Sequence, residues 1–189
     1  MLTLARRTVK ISAAPADARK RCKVTRLIVF AGLPGTGKSS IARALAKELG
    51  AIWLRIDSIE QAIRESALAP GSVDDAGYRA AYAVAEDNLR LGRDVVGDSV
   101  NGWMLTRNAW RDVGLRAGAQ IVEVEILCTD RDEHRRRVET RASEVPGLIL
   151  PDWLAVVERD YHPWDRDRLT IDTAGRSIAA CVELVLEAL

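Results

Sequence analysis

Eight consecutive residues, Gly32-Leu33-Pro34-Gly35-Thr36-Gly37-Lys38-Ser39, fit the pattern G-x-x-x-x-G-K-S/T in full. No other stretch of the chain constrains its fold as tightly. The apolar run Leu27-Ile28-Val29-Phe30 leads into it, as a buried parallel strand would. After it, Ile41, Leu45 and Leu49 recur at helical spacing, and Gly50 supplies a stop. Strand, glycine-rich turn and helix in that order form a phosphate-binding loop. Its glycines let the backbone from Gly32 to Ser40 wrap closely, so that N–H groups converge on phosphate oxygens. The helix N-terminus adds partial positive charge. Lys38 is placed to reach the β- and γ-phosphates of ATP, and the Ser39 hydroxyl to ligate magnesium. The loop fixes nucleotide binding but not the reaction, since motors, switches and kinases all carry it.

The rest of the chain reads as strands alternating with helices. Strands are expected at Ala51 to Ile56, Asp94 to Asp98, Ile121 to Cys128 and Arg168 to Asp172. Helices are expected after Asp57, over Tyr78 to Leu89, from Thr106 to Gly118, from Asp130, over Pro151 to Tyr161, and from Ile178. Five such strands imply an α/β fold, a parallel sheet covered by helices on both faces.

The 189 residues suit one domain, or one domain with a small mobile lid, and 48% hydrophobic content is enough for a sizeable core. No apolar run approaches the roughly 20 residues needed to cross a bilayer. Cys22, Cys128 and Cys181 are too far apart for a zinc site or a disulfide framework, which suits a reducing cytoplasm. Of 28 basic and 27 acidic side chains, seven basic and one acidic lie in residues 1–23, so the remainder is net acidic. The basic segment reads as a disordered leader, and residues 24–189 as the folded domain. An acidic body argues against nucleic acid as the main partner. Nothing in the sequence sets an oligomeric state.

Ligands of open parallel sheets sit beyond the carboxyl ends of the strands. Asp57 lies at such an end, where a carboxylate can orient an acceptor hydroxyl and take its proton. Asp57-Ser58-Ile59-Glu60 also reads as a capping box, and the location favours the catalytic role. Asp98 ends the third strand and is a candidate magnesium ligand, with an ordinary turn aspartate as the alternative. Of the arginines after the fourth strand, Arg137 and Arg141 would share a helical face and close over the nucleotide. The others read as a solvated face, with Asp130 and Glu133 as a capping box and His134 exposed among them. His162, before Pro163, reads as structural, and the five tryptophans as packing or pocket wall.

Taken in order, Gly32 to Ser39, Asp57-Ser58-Ile59, Asp98, the Cys128 to Arg141 segment and Leu169 to Thr173 resemble small P-loop kinases. These are the kinases related to chloramphenicol phosphotransferase, gluconate kinase, polynucleotide kinase and zeta toxins. The resemblance covers most of residues 27–189. It implies the three-layer P-loop NTPase fold with sheet order 2-3-1-4-5 and a helical lid at about 131–150. It further implies Asp57 as the acceptor-side base, Arg137 and Arg141 as lid arginines, and the loop holding Thr173 against adenine. Glu60 departs from the polynucleotide kinase pattern, which places a phosphate-gripping arginine there; Arg64 lies one turn further on. The reading that follows is transfer of the γ-phosphoryl group of Mg-ATP to a hydroxyl of a small molecule. A polynucleotide or nucleotide-sugar kinase, and an ATPase switch with a protein partner, are the alternatives.

Overall fold

The computed structural model describes residues 24–67 and 72–189. The basic segment 1–23, with Cys22, lies outside the described residues. Strand β1 (Arg26–Ala31) enters the phosphate loop and α1 (Lys38–Leu49) leaves it; β2 (Ile52–Arg55) and α2 (Ile56–Arg64) follow. Next come α3 (Ala76–Arg90), β3 (Val95–Asp98), α4 (Met104–Ala117), β4 (Gln120–Leu127) and α5 (Arg131–Thr140). The chain ends with α6 (Trp153–Val157), β5 (Leu169–Asp172) and α7 (Ile178–Glu187).

All strand pairs are parallel, in the order β2-β3-β1-β4-β5. Side chains of β1 alternate between two cores. Ile28 and Phe30 meet Ile41 and Leu45 of α1 and Val185 of α7. Leu27 and Val29 meet Ala81 and Ala85 of α3 and Trp110 and Val113 of α4. Both faces of β1 are therefore dry, which is why its sequence is a continuous apolar run. No helix among the described residues is long and apolar enough to cross a membrane.

The register sets up the site. Asp98, last in β3, lies opposite Phe30 of β1 on one side and Arg55 of β2 on the other. The end of β3 is thus flanked by the phosphate loop and by the segment carrying Asp57.

Several element ends differ from the sequence reading. Helix α2 starts at Ile56 with Arg55 as its N-cap, so Asp57 lies inside the first turn and is not the cap. Helix α4 starts at Met104, and Thr106 sits within its first turn, its hydroxyl donating to the Trp103 carbonyl at 2.9 Å. Helix α6 is only five residues long, capped by Asp152. It stops short of the expected Tyr161; beyond it, Pro163 disfavours helical geometry at His162, and a buried arginine takes up the carbonyls of His162 and Pro163.

That arginine is Arg107, which is fully buried. Its guanidinium donates to the carbonyls of Asn101 (2.9 Å), Gly102 (3.1 Å), His162 (3.0 Å) and Pro163 (3.3 Å). It lies over the rings of Trp164 and Tyr161, 4.1 and 4.9 Å from their centroids. One cation thereby fastens the segment after β3 to the segment before β5. Arg107→Met is expected to destabilise the domain by about 3 kcal/mol or more, since several buried carbonyls lose their donor together. Chemical denaturation measures this, and a change below about 0.5 kcal/mol would contradict it.

Candidate active site

Glycine is required where the phosphate loop presses on its neighbours. At Gly32 (φ 143°) a Cβ would collide with the carbonyl of Ile126, and at Gly35 (φ 86°) with the Val138 side chain. Within the loop, the Thr36 hydroxyl donates to the Leu33 carbonyl at 2.9 Å. Gly37 is the N-cap of α1, no side chain caps that helix, and its first turn holds no acidic residue. The first N–H groups of α1 are therefore open to an anion.

Asp98 is 1% exposed. Its Oδ1 accepts from Ser39 Oγ at 3.1 Å and from Lys38 Nζ at 3.4 Å. Its Oδ2 is buried without a partner among the described residues. A free carboxylate oxygen beside a serine hydroxyl is a hard-oxygen donor pair, the kind that suits magnesium completed by water and phosphate. Among the described residues no group of three or more His, Cys, Asp or Glu could form an all-protein metal cage.

Lys38, Ser39, Ser40, Asp57, Arg137 and Arg141 all line one cavity of about 600 Å³, together with Leu33, Pro34, Gly35 and Gly37. Asp57 is 44% exposed, and its carboxylate lies 4.0 Å from Arg55 Nε. Glu60 lines the same cavity and accepts from Arg64 at 3.1 Å. Burial pushes the Glu60 carboxyl up from the usual range, against the pull of Arg64.

The two arginines expected on one helical face separate. Helix α5 ends at Thr140, so Arg141 is its C-cap in an extended conformation. Arg137 stays on the loop side, within 3.8 Å of where a Gly37 Cβ would stand. It donates to Thr173 Oγ1 (2.8 Å) and the Thr173 carbonyl (3.0 Å), and pairs with Glu133. Arg141 instead senses Asp57, Arg159 and Arg55; burial lowers its pKa first, and Asp57 opposes that shift.

Two residues brace the loop from behind. Thr173, 3% exposed, donates to the Thr36 carbonyl at 2.8 Å while accepting from Arg137. It does not line the cavity; it buckles the loop to α5. His134, expected to be exposed, is 7% exposed: its Nε2 meets the Pro34 carbonyl at 2.9 Å and its ring packs edge-on against Trp153. The sequence held a signal for this, because His134, Arg137, Val138 and Arg141 follow the i, i+3, i+4, i+7 spacing of one helix face. Asp130 caps α5 as expected, accepting from the N–H groups of Asp132 and Glu133. Glu133 does not close the capping box; it accepts from Arg137 and from the Gly175 N–H at 3.0 Å. His162 is structural, its Nδ1 accepting from the Met104 N–H at 3.3 Å.

Thr173→Val keeps the shape of this buckle and removes its hydroxyl. Nucleotide affinity is expected to fall about tenfold, because the Thr36 carbonyl and Arg137 each lose a buried partner and the loop loosens. Titration with a non-hydrolysable ATP analogue checks this, and unchanged affinity would contradict it.

Comparison with known proteins follows the same lines. The family model described as "AAA domain" matches residues 27–159. The chain belongs to this family of P-loop domains. An uncharacterised protein of Mycobacterium tuberculosis is 31% identical to this chain over 163 residues, covering 79% of the chain and 32% of that protein. The chain thus spans about a third of the length of the curated relatives it matches. Among solved structures, the M. tuberculosis APS kinase CysC in complex with AMPPNP and APS superposes with a TM-score of 0.62 at 22% identity, covering 87% of this chain and 96% of that one. A gluconokinase of Sinorhizobium meliloti gives 0.59 at 21% identity, covering 87% and 91%. At these identities the shared property is the fold: a P-loop nucleotide-binding domain of the kind found in small-molecule kinases.

Proposed function

We propose that this domain is a phosphotransferase that moves the γ-phosphoryl group of ATP to a hydroxyl of a small molecule. The observation that carries the reading is the single cavity that joins Lys38 and Ser39 to Asp57 across the end of β3. The phosphate loop, with the open N-terminus of α1, supplies the cradle for the β- and γ-phosphates. Ser39 Oγ and Asp98 Oδ2 would hold magnesium, which would supply positive charge to offset that of the phosphates.

The chain's own groups divide the remaining work. Lys38 presents its ammonium to the transferring group and draws charge off it as the bond from Pγ to the ADP oxygen breaks. Asp57 holds the acceptor hydroxyl on the opposite side, in line, and takes its proton as the new O–P bond forms. Its 44% exposure leaves it reachable by an entering acceptor. Residues 131–150 act as a lid: α5 seats on the loop through His134 and Val138, and the segment from Arg141 to Leu150 roofs the cavity. Closure excludes water, which protects ATP from hydrolysis.

A screen of hydroxyl compounds for ADP release tests this. The domain is expected to idle with Mg-ATP alone and to turn over only with an acceptor. ATP consumption at the same rate with and without every hydroxyl compound would overturn the reading in favour of an ATPase switch.

A further inference from the structure

The end of the cavity that holds Asp57 carries more positive charge than its own acids absorb. Four arginines line it: Arg55, Arg64, Arg141 and Arg159. Three acids face them, and two are already engaged. Glu60 is taken by Arg64 at 3.1 Å. Glu144, 48% exposed, is shared between Arg55 and Arg43, at 3.3 Å from each. Asp57 makes no hydrogen bond to Arg55, standing 4.0 Å from its Nε.

Two guanidinium N–H groups are consequently left over inside the protein. The Nε atoms of Arg55 and Arg141 are both buried without an acceptor among the described residues. Among the described residues Arg141 makes a single long hydrogen bond from its side chain, 3.5 Å to the Pro151 carbonyl. Arg159 makes no ion pair or side-chain hydrogen bond among the described residues, and it faces Arg141 and Glu60 closely enough to act on both electrostatically. Buried donors without acceptors are costly, and like charges drawn together add to that cost. An oxyanion with several acceptor oxygens relieves both at once, and guanidinium forks match its geometry.

We infer that the acceptor is itself an anion, a small hydroxy compound bearing a phosphate, sulfate or carboxylate that docks on Arg55, Arg141 and Arg159. This rests on the phosphotransferase reading and narrows its substrate class. The anionic group sets the orientation: with one end held by the arginines, the hydroxyl is turned to Asp57 and the phosphate loop. Arg137, tied to Thr173 on the loop side, takes no part in the subsite.

The test uses the protein loaded with Mg-AMPPNP, so that the phosphate loop is filled, and inorganic phosphate as the probe, followed by calorimetry. One phosphate is expected to bind saturably to the loaded protein. Arg141→Gln and Arg159→Gln should each weaken it about tenfold or more, as loss of a charge-assisted hydrogen bond does. Lys47→Gln, an exposed change on α1, should not alter it. Arg159 is exposed, so its variant reports on binding even if Arg141→Gln folds poorly. Loaded protein that binds no phosphate, or variants that bind it as well as the parent, would overturn the anionic subsite alone. Protein that fails to bind AMPPNP would sink the phosphotransferase reading, and this inference with it. A short 5′-hydroxyl oligonucleotide is the remaining arm; binding of it without saturable binding of inorganic phosphate would overturn the small-molecule acceptor.

Discussion

Lys38→Ala is expected to lower acceptor-dependent ADP release by about 10²-fold or more, as loss of a charge aimed at a transferring phosphoryl group does. The same substitution is expected to reach the fold as well. Lys38 is 7% exposed and is the cation beside Asp98, which is 1% exposed and whose carboxylate is otherwise bonded, among the described residues, only to Ser39. Its removal leaves a buried carboxylate short of a partner, a loss on the order of 1–3 kcal/mol. The two effects come apart in the double variant Lys38→Ala/Asp98→Asn. An amide in place of the carboxylate removes the orphaned charge, so the melting temperature should recover. Turnover should not, since the cation is still missing and the magnesium ligand has gone with it. Recovery of activity along with stability would show that Lys38 acts only as a counter-ion to Asp98.

The parts of this molecule that the sequence made legible are those fixed by neighbours in the chain. The phosphate loop, its flanking strand and helix, and the stops at Gly50 and Gly118 are local patterns, and each stands where the residues put it. The cap at Asp130 is equally local, because a carboxylate needs only the N–H groups two and three residues on. What the sequence hid depends on distant partners. His134 is buried because it meets Pro34, 100 positions away, and Thr173 is drawn behind the loop by Thr36, 137 positions away. Arg107 reaches carbonyls 55 and 56 positions on, a tie that no local pattern announces. The order of the strands is a further case: periodicity counts the strands, and only the pairing shows that β3 lies between β1 and β2. The parting of Arg137 from Arg141 turned on one helix end, since α5 stops at Thr140 and the next residue is free to turn toward Asp57.

Asp57→Asn separates chemistry from folding more cleanly than any other single change in the cavity. The carboxylate is not the N-cap of α2, since Arg55 holds that position and no side chain caps the helix. It does lie in the first turn, where a negative charge favours the helix dipole by about 0.3–1 kcal/mol at an exposed site. Stability should therefore fall by no more than about that amount, and the neighbouring Arg55 keeps its contact with Glu144 at 3.3 Å. Phosphoryl transfer should fall by about 10²-fold or more, because asparagine neither accepts the hydroxyl proton nor bears charge to orient the attack. The loss should appear in kcat rather than in the KM for ATP, since Asp57 sits on the acceptor side of the cavity and the nucleotide is cradled by the loop. Asp57→Glu supplies the matching control: it keeps the base and displaces it by one methylene, so a partial rate should remain. If Asp57→Asn turned over at the parental rate while Asp57→Glu did not, the carboxylate would matter for space alone and the base would have to be sought elsewhere in the cavity.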